Sequence, residues 1–192
     1  MTGELPPHHL IPRVSAAEID ECIDGLVETA GESFAGEEVT LISIYLGAKW
    51  FGEQFALKLA ALPCPPSSIR QDNIRISSYA KGMKTNGKPR VVEDLQDPEG
   101  LVRGKKVLLL EDIIDSGLSI ARTALPHVLK YQPVSLEVVT MLTKFEKLRV
   151  SRQELCLLAH GLNIDFFAVG SGLDFEGYYR DLAGVWEVVK DE

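Results

Sequence analysis

The chain has 192 residues, of which 45% are hydrophobic and 25% are charged, an ordinary globular composition that excludes collagen-like, coiled-coil and largely disordered proteins. The formal net charge of −8 disfavours binding to nucleic acid or to an anionic membrane. The longest stretch without Asp, Glu, Lys or Arg runs from Leu59 to Ile69 and contains three prolines, so no membrane-spanning helix is expected. Three cysteines without a CxxC spacing indicate free thiols and a cytoplasmic protein.

The first half of the chain predicts an irregular lead-in followed by alternating helices and strands. A capping box, Ser15-Ala16-Ala17-Glu18, predicts the start of the first helix, and Gly31 its end. A β-branched apolar run then predicts a buried strand, and a proline cluster predicts the end of the helix after it. The predicted elements are the lead-in 1–14, the helix 15–31, a strand at Val39 to Leu46, a helix at Lys49 to Leu62 and a strand at Ile74 to Tyr79.

The second half begins with a long segment, residues 80–105, whose glycines, prolines and charges predict a binding loop. The elements predicted beyond it are a strand at Lys106 to Glu111, a loop at Asp112 to Ser119, a helix through about Lys130, and strands at Ser135 to Thr143, Ile164 to Val169 and Val185 to Val189. Strands that alternate with helices predict an α/β fold with a mostly parallel twisted sheet flanked by helices. We expect residues 1–38 to form a lead-in and a helix, and residues 39–192 to form one domain.

The most informative segment is the end of the strand at Lys106 to Glu111. Two adjacent carboxylates, Glu111 and Asp112, follow its apolar residues, and Asp115 precedes a Ser-Gly-Leu-Ser loop that opens a helix. Ligands of open parallel sheets bind beyond the carboxyl ends of the strands, and such a loop favours a phosphate. The carboxylates can accept hydrogen bonds from sugar hydroxyls or hold Mg²⁺.

The same segment has two other interpretations. A solvated strand end with a helix cap would show the same acidic pair. A phosphorelay receiver domain also begins with an apolar strand and an acidic cluster, but only 86 residues remain from Val107 onward, and the Ser-Gly-Leu-Ser loop would be unexplained.

The segment Glu111-Asp112-Ile113-Ile114-Asp115-Ser116-Gly117-Leu118-Ser119 resembles the phosphoribosyl-diphosphate motif of type I phosphoribosyltransferases, in their hypoxanthine-guanine branch. The resemblance covers roughly Val39 to Val189. It implies the type I phosphoribosyltransferase fold, with a mobile lid loop and a small hood built from about residues 160–192 and possibly the N-terminus. It also implies that residues 111–119 bind the phosphoribosyl group and that Asp115 is the catalytic base near purine N7.

The family's pyrophosphate turn carries a basic residue followed by glycine, and the matching residues here are Leu46 and Gly47. Leu46 departs from the pattern, which predicts a weaker grip on pyrophosphate, although Lys49 lies three residues on. Arg180 matches the family's pyrophosphate-binding arginine, whereas a local ion pair with Asp181 is the alternative for it. The resemblance also implies that the lid begins at Ser78 and Tyr79.

The remaining resemblances concern the base and the metal. Lys144 matches a family lysine that donates to the exocyclic oxygen of a 6-oxopurine, and a cationic donor there would reject adenine. Phe167 matches the aromatic residue that stacks on the base, with Phe166 as a second candidate and the backbone of Ala168 at the base edge. Asp174 is expected beside the purine and, with Glu111 and Asp112, at Mg²⁺.

The expected function is therefore transfer of phosphoribosyl from phosphoribosyl diphosphate to hypoxanthine, with guanine as a further substrate, in a cytoplasmic homo-oligomer that uses Mg²⁺. Two alternatives stay open. The first is the same chemistry with xanthine as the preferred base. The second is a non-catalytic regulatory protein that binds a phosphoribosyl ligand, which Leu46 in place of a cation favours.

Overall fold

The computed structural model describes residues 5–77 and 89–191. Its strands are β1 (His8–Val14), β2 (Glu38–Tyr45), β3 (Ser68–Ser77), β4 (Arg90–Glu93), β5 (Lys106–Ile114), β6 (Ser135–Thr143), β7 (Leu157–Asn163), β8 (Ala168–Val169) and β9 (Val185–Lys190). Its helices are α1 (Ala16–Phe34), α2 (Ala48–Ala60), α3 (Pro98–Leu101) and α4 (Leu125–Leu129), with a π-helical turn at Ile120–Ala124 and a 3-10 turn at Phe145–Lys147.

Helix α1 begins as predicted but ends later. The Glu18 N–H donates to Ser15 Oγ at 3.2 Å and the Ser15 N–H donates to Glu18 Oε2 at 2.8 Å, which confirms the capping box. Gly31 does not stop the helix, which continues to Phe34. A Cβ on Gly31 would lie 2.3 Å from Leu62 Cδ1, so this glycine serves the close packing of α1 against the segment after α2.

The larger sheet has six strands in the order β4-β3-β2-β5-β6-β7, and all of its pairings are parallel except that between β3 and β4. The central strand β5 is buried on both faces. Leu108 and Leu110 pack into the core cluster that includes α1 and α2, while Val107 and Leu109 pack into the cluster that includes α4. The predicted α/β architecture with a mostly parallel sheet is confirmed.

A second, three-stranded sheet has the order β1-β9-β8. Strand β1 pairs antiparallel with β9, from His8 opposite Lys190 to Val14 opposite Val185. The prediction of an irregular lead-in was therefore wrong for residues 8–14. These residues form a strand because the C-terminal strand supplies their hydrogen-bond partners, and no local pattern in the first 14 residues shows that pairing.

Other differences lie around the site. Strand β5 runs to Ile114, so Asp112 lies on the strand together with Glu111 and not in the loop predicted for it. Strand β7 was missed because its Ala-His-Gly centre breaks the apolar pattern, and the strand predicted at Ile164 to Val169 shortens to Ala168–Val169. The segment predicted as a loop at 80–105 contains β4 and α3 in its described part. Across the described helices, none is long and apolar enough to cross a membrane.

Candidate active site

Within the described ranges, the predicted site residues come from five segments, and contacts link them at the carboxyl edge of the larger sheet. These segments are the turn after β2, the end of β5 with the loop after it, the end of β6, the residues that lead into β8, and the turn between β8 and β9. Ligand sites of parallel sheets lie at this edge. Ser78 and Tyr79 precede the described range that begins at residue 89, so the predicted start of the lid lies outside the described residues.

The acidic pair on β5 is desolvated. Burial, and then the neighbouring Asp112 carboxylate, raise the pKa of Glu111 well above its ordinary value. Burial also raises the pKa of Asp112 to about 6, although the Ile113 N–H and the Arg180 guanidinium favour its charged form. Glu111 Oε2 is buried and accepts no hydrogen bond from the described residues. An unsatisfied buried acceptor costs free energy, so this oxygen indicates a site for a donor or a cation.

The turn after β2 packs directly on Asp112. A Cβ on Gly47 would lie 2.0 Å from Asp112 Oδ2, so only glycine fits there without displacing the carboxylate. Leu46 is 47% exposed and carries no charge to this turn. Lys49 does not replace the missing cation, because its Nζ lies 6.0 Å from the centre of the Tyr45 ring and 4.0 Å from Glu53 Oε1.

Arg180 belongs to the turn between β8 and β9, which packs against the turn after β2. Its Nη1 donates to the Gly172 carbonyl at 2.6 Å, and its Nη2 lies 2.5 Å from Asp174 Oδ1. The alternative partner Asp181 forms no such pair among the described ion pairs. Gly172 has φ +97°, and a Cβ there would lie 2.9 Å from the Gly47 carbonyl oxygen. The turn that carries Asp174 and Arg180 therefore rests on the turn that packs against Asp112.

The loop after β5 has the shape that the motif predicts. Gly117 has φ +74°, and a Cβ there would lie 2.6 Å from Val150 Cγ2, so both the backbone and the packing require glycine. The Leu118 N–H donates weakly to Ser116 Oγ at 3.4 Å. Ser119 precedes the helical segment that starts at Ile120. Of the hydrophobic motif residues, Ile114 is buried, while Ile113 and Leu118 pack against the two core clusters.

Two lysines, one of them the candidate purine-binding Lys144, approach the carboxylate of Asp115. Lys144 Nζ lies 3.4 Å from Asp115 Oδ2, and the lysine side chain is only 7% exposed although the aspartate is 53% exposed. Lys147 approaches the same carboxylate at 4.0 Å, a contact that the sequence pattern did not indicate. A buried ammonium beside an accessible carboxylate places a fixed hydrogen-bond donor next to a candidate base.

Phe166 and Phe167 are the two candidates for stacking on the purine, and they differ in how far they are exposed. Phe167 is 51% exposed, whereas Phe166 packs against the core with Arg13 over its ring. Phe175 meets the Phe167 ring edge-on, with centroids 5.5 Å apart, and the sequence pattern gave no hint of this support. Ala168 is buried. The structure thus leaves Phe167 accessible to a ligand, whereas Phe166 is partly buried against the core.

The candidate metal residues do not form a metal cage by themselves. In ranges 5–77 and 89–191, no three His, Cys, Asp or Glu side chains cluster closely enough to hold an ion. Glu111, Asp112 and Asp174 nevertheless provide hard oxygen atoms, one of them unpartnered, and the charge of Asp174 acts on Asp112. Mg²⁺ usually takes one or two protein carboxylates and completes its shell with substrate oxygens and water. The residues present fit an ion bound in that way.

Comparison with known proteins places this site in a family. The family model described as a phosphoribosyl transferase domain matches residues 14–175. The chain belongs to the phosphoribosyltransferase family. The hypoxanthine-guanine phosphoribosyltransferase of Mycobacterium tuberculosis is 30% identical over 95% of this chain and 88% of its own. The hypoxanthine phosphoribosyltransferase of Salmonella typhimurium is 31% identical over 95% of this chain and 97% of its own.

The fold agrees with solved phosphoribosyltransferases. A crystal structure of a hypoxanthine-guanine phosphoribosyltransferase from Bacillus anthracis superposes with a TM-score of 0.79 at 29% identity, covering 93% of this chain and 98% of that one. The type I phosphoribosyltransferase fold implied by the motif is therefore confirmed. The chain is an enzyme of the phosphoribosyltransferase class. The candidate site residues described above lie at the carboxyl ends of the strands of its larger sheet.

Proposed function

We propose that this phosphoribosyltransferase acts in purine salvage, transferring phosphoribosyl from phosphoribosyl diphosphate to hypoxanthine or guanine and releasing pyrophosphate. The observation that carries the proposal is the end of β5, where an unpartnered Glu111 oxygen and the buried Asp112 carboxylate lie four and three residues before the Asp115–Lys144 pair. The acidic pair suits the hydroxyl groups of a sugar, and the Asp115–Lys144 pair suits a purine bound beside that sugar. The identities of the relatives support the same activity.

The phosphoribosyl group is assigned to residues 111–119. Glu111 and Asp112 accept hydrogen bonds from the ribose hydroxyls, which supply the missing partner of Glu111 Oε2. The 5′-phosphate binds the loop of residues 115–119, whose conformation depends on the positive φ of Gly117 and on its close packing against Val150. Pyrophosphate is held by the backbone of Leu46 and Gly47 and by Arg180, whose planar guanidinium suits phosphate oxygens.

Magnesium is assigned to the same edge, held by Glu111, Asp112 and Asp174 together with substrate oxygens. Bound there, Mg²⁺ would neutralise the charge of the pyrophosphate leaving group. Arg180 already pairs with Asp174, so the arginine orients this carboxylate and keeps the turn closed against Gly47.

The purine is assigned to Lys144, Phe167, Ala168 and Asp174. Lys144 donates a hydrogen bond to the 6-oxo group, because an ammonium has donors only and cannot pair with a 6-amino group. Phe167 stacks on the ring, and its exposed face is available for that contact. Purine N9 bonds to C1 of the sugar while the bond from C1 to the pyrophosphate oxygen breaks. Asp115 takes the proton from N7, and its charge stabilises the oxocarbenium-like transition state.

The location and the assembly of the enzyme belong to the same proposal. The enzyme is expected to be cytoplasmic and to form a homo-oligomer, on the strength of the family resemblance.

The decisive experiment measures pyrophosphate release from phosphoribosyl diphosphate and Mg²⁺ with hypoxanthine, guanine, xanthine or adenine as acceptor. We expect turnover with hypoxanthine and guanine and at least about 10²-fold less with adenine, on the scale by which an unpaired polar group discriminates. Preference for xanthine would replace the base assignment. Tight binding of phosphoribosyl diphosphate without release from any base would favour the regulatory alternative, for which the neutral Leu46 is the supporting observation.

A further inference from the structure

Asn163 ends strand β7, outside the residues assigned above to the purine or the phosphoribosyl group. Its Oδ1 lies 3.0 Å from the backbone nitrogen of Phe145. Because a backbone N–H can only donate, the amide oxygen of Asn163 is the acceptor. The side chain of Asn163 is therefore tied to the residue directly after Lys144.

The backbone around Lys144 is held from both neighbouring strands. The Lys144 N–H donates to the Ile114 carbonyl at 2.9 Å, on the side of β5. The Ile164 N–H donates to the Thr143 carbonyl at 2.8 Å, on the side of β7. The Asn163 contact adds a second bond on the β7 side, on the other flank of Lys144. Residues 143–145 therefore cannot shift toward either strand without losing a hydrogen bond.

Among the described residues, the ring of Phe145 has two partners, one of them on strand β7 and the other on the segment before it. His160 meets it edge-on, with ring centroids 4.7 Å apart, and the Arg152 guanidinium lies 4.6 Å from its centre. Phe145 thus packs on the edge strand, while Lys144 extends to Asp115. Because Phe145 directly follows Lys144, fixing the Phe145 ring also limits where the Lys144 side chain can lie.

We propose that Asn163 is a positioning residue for recognition of the purine. It fixes the backbone next to Lys144, so that the Lys144 ammonium lies where it can donate to the 6-oxo group of the purine. This inference rests on the proposed function. Lysine has a long stem with many rotamers, so a donor placed by lysine needs a fixed backbone to be selective. The Asn163 amide supplies that restraint through Phe145, without contact to the substrate.

The test compares two variants of Asn163 in the full chain. Asn163→Leu keeps the approximate size and removes the acceptor, whereas Asn163→Asp keeps an acceptor oxygen at the same place. For Asn163→Leu we expect the KM for hypoxanthine to rise about fivefold to tenfold, the scale of one lost hydrogen bond, with the KM for phosphoribosyl diphosphate changed less than about twofold. Asn163→Asp should stay within about twofold of wild type for both substrates. Asn163 is exposed, so neither change should prevent folding, and thermal denaturation of each variant checks this.

Equal rises in both KM values, or an unchanged KM for hypoxanthine in Asn163→Leu, would overturn the proposal. Crystal structures of both variants give a measurement that does not depend on turnover. The distance from Lys144 Nζ to Asp115 Oδ2, 3.4 Å in the wild type, should lengthen in Asn163→Leu only. An unmoved lysine contradicts the role of Asn163, whereas a wild-type protein that releases no pyrophosphate contradicts the proposed function.

Discussion

The turns after β2 and β5 meet at the carboxyl ends of neighbouring central strands, but one is neutral and the other is acidic. The end of β5 carries buried carboxylates whose pKa values are raised by desolvation. The turn after β2 offers an exposed Leu46 and a glycine that touches Asp112. Under the proposed function, the first region would bind the substrate with its side chains and the second with its backbone. The catalytic chemistry would then be concentrated on β5, and pyrophosphate binding would depend on backbone groups and on Arg180.

The largest effect should follow from loss of the candidate base on the β5 side. Asp115→Asn should lower turnover by about 10²-fold or more, the usual contribution of acid–base catalysis, while binding of a nucleoside monophosphate persists. Steady-state kinetics and calorimetric titration measure the two quantities. Asp165→Asn is the matched control, because Asp165 is an exposed carboxylate between β7 and β8. Unchanged turnover in Asp115→Asn would remove this residue from the mechanism.

The second prediction concerns the cost of keeping Asp112 buried. Its folded-state pKa of about 6 lies above its ordinary 3.8, so the folded protein binds this proton more tightly than the unfolded chain. The resulting stabilisation is complete below pH 3.8 and is lost as the pH rises to about 6. Without substrate and Mg²⁺, Asp112→Asn should therefore become more stable than wild type over this range, by at most about 3 kcal/mol at pH 7.

Chemical denaturation of both proteins at pH 4 and pH 7 checks the sign for Asp112. A variant that is less stable than wild type at pH 7 would mean that the electrostatic attraction of Asp112 to the Arg180 guanidinium outweighs desolvation.

The third prediction tests how tightly the two turns are packed. Gly47→Ala should destabilise the protein by about 1–3 kcal/mol and lower activity, because the new Cβ would overlap Asp112 Oδ2. Gly25→Ala is the matched control, since a Cβ on Gly25 meets nothing within 4 Å inside helix α1. That change should stabilise the helix by about 0.5–1 kcal/mol. Thermal unfolding of the two variants separates them, and equal effects would contradict the close contact at Gly47.

Much of the β5 side could be predicted because its information is local. The apolar run, the acidic pair and the Ser-Gly-Leu-Ser loop lie within thirteen consecutive residues, from Val107 to Ser119, and the backbone conformation of Gly117 bears out that pattern. The Ser135–Thr143 strand was predicted with its exact bounds for the same reason. The prediction erred on where β5 ends, since the charged Asp112 within the strand is typical of a loop when its burial is unknown.

The remaining features depend on contacts between distant parts of the chain. Strand β1 forms because it pairs with β9, and the packing of Gly172 on Gly47 joins residues more than a hundred positions apart. The support of Lys144 by Asn163 also crosses between strands β6 and β7. No periodicity reports such pairings, so the sequence alone could name Arg180 and Lys144 through resemblance but could not show what holds them.

The smallest predicted effect, and the one that tests the comparison most directly, is restoration of charge to the β2 turn. Leu46→Lys should lower the KM for phosphoribosyl diphosphate and the inhibition constant of pyrophosphate by about threefold to tenfold, because an exposed charge contact contributes about 1 kcal/mol. The gain should shrink at high ionic strength, since salt screens an exposed pair. Leu57→Lys adds the same charge at a residue 68% exposed on α2 and should leave both constants unchanged. If both variants tighten pyrophosphate binding equally, net charge and not the place of the cation is responsible. If neither does, the backbone of Gly47 and Arg180 already hold pyrophosphate as firmly as the site allows, and the neutral turn is no handicap.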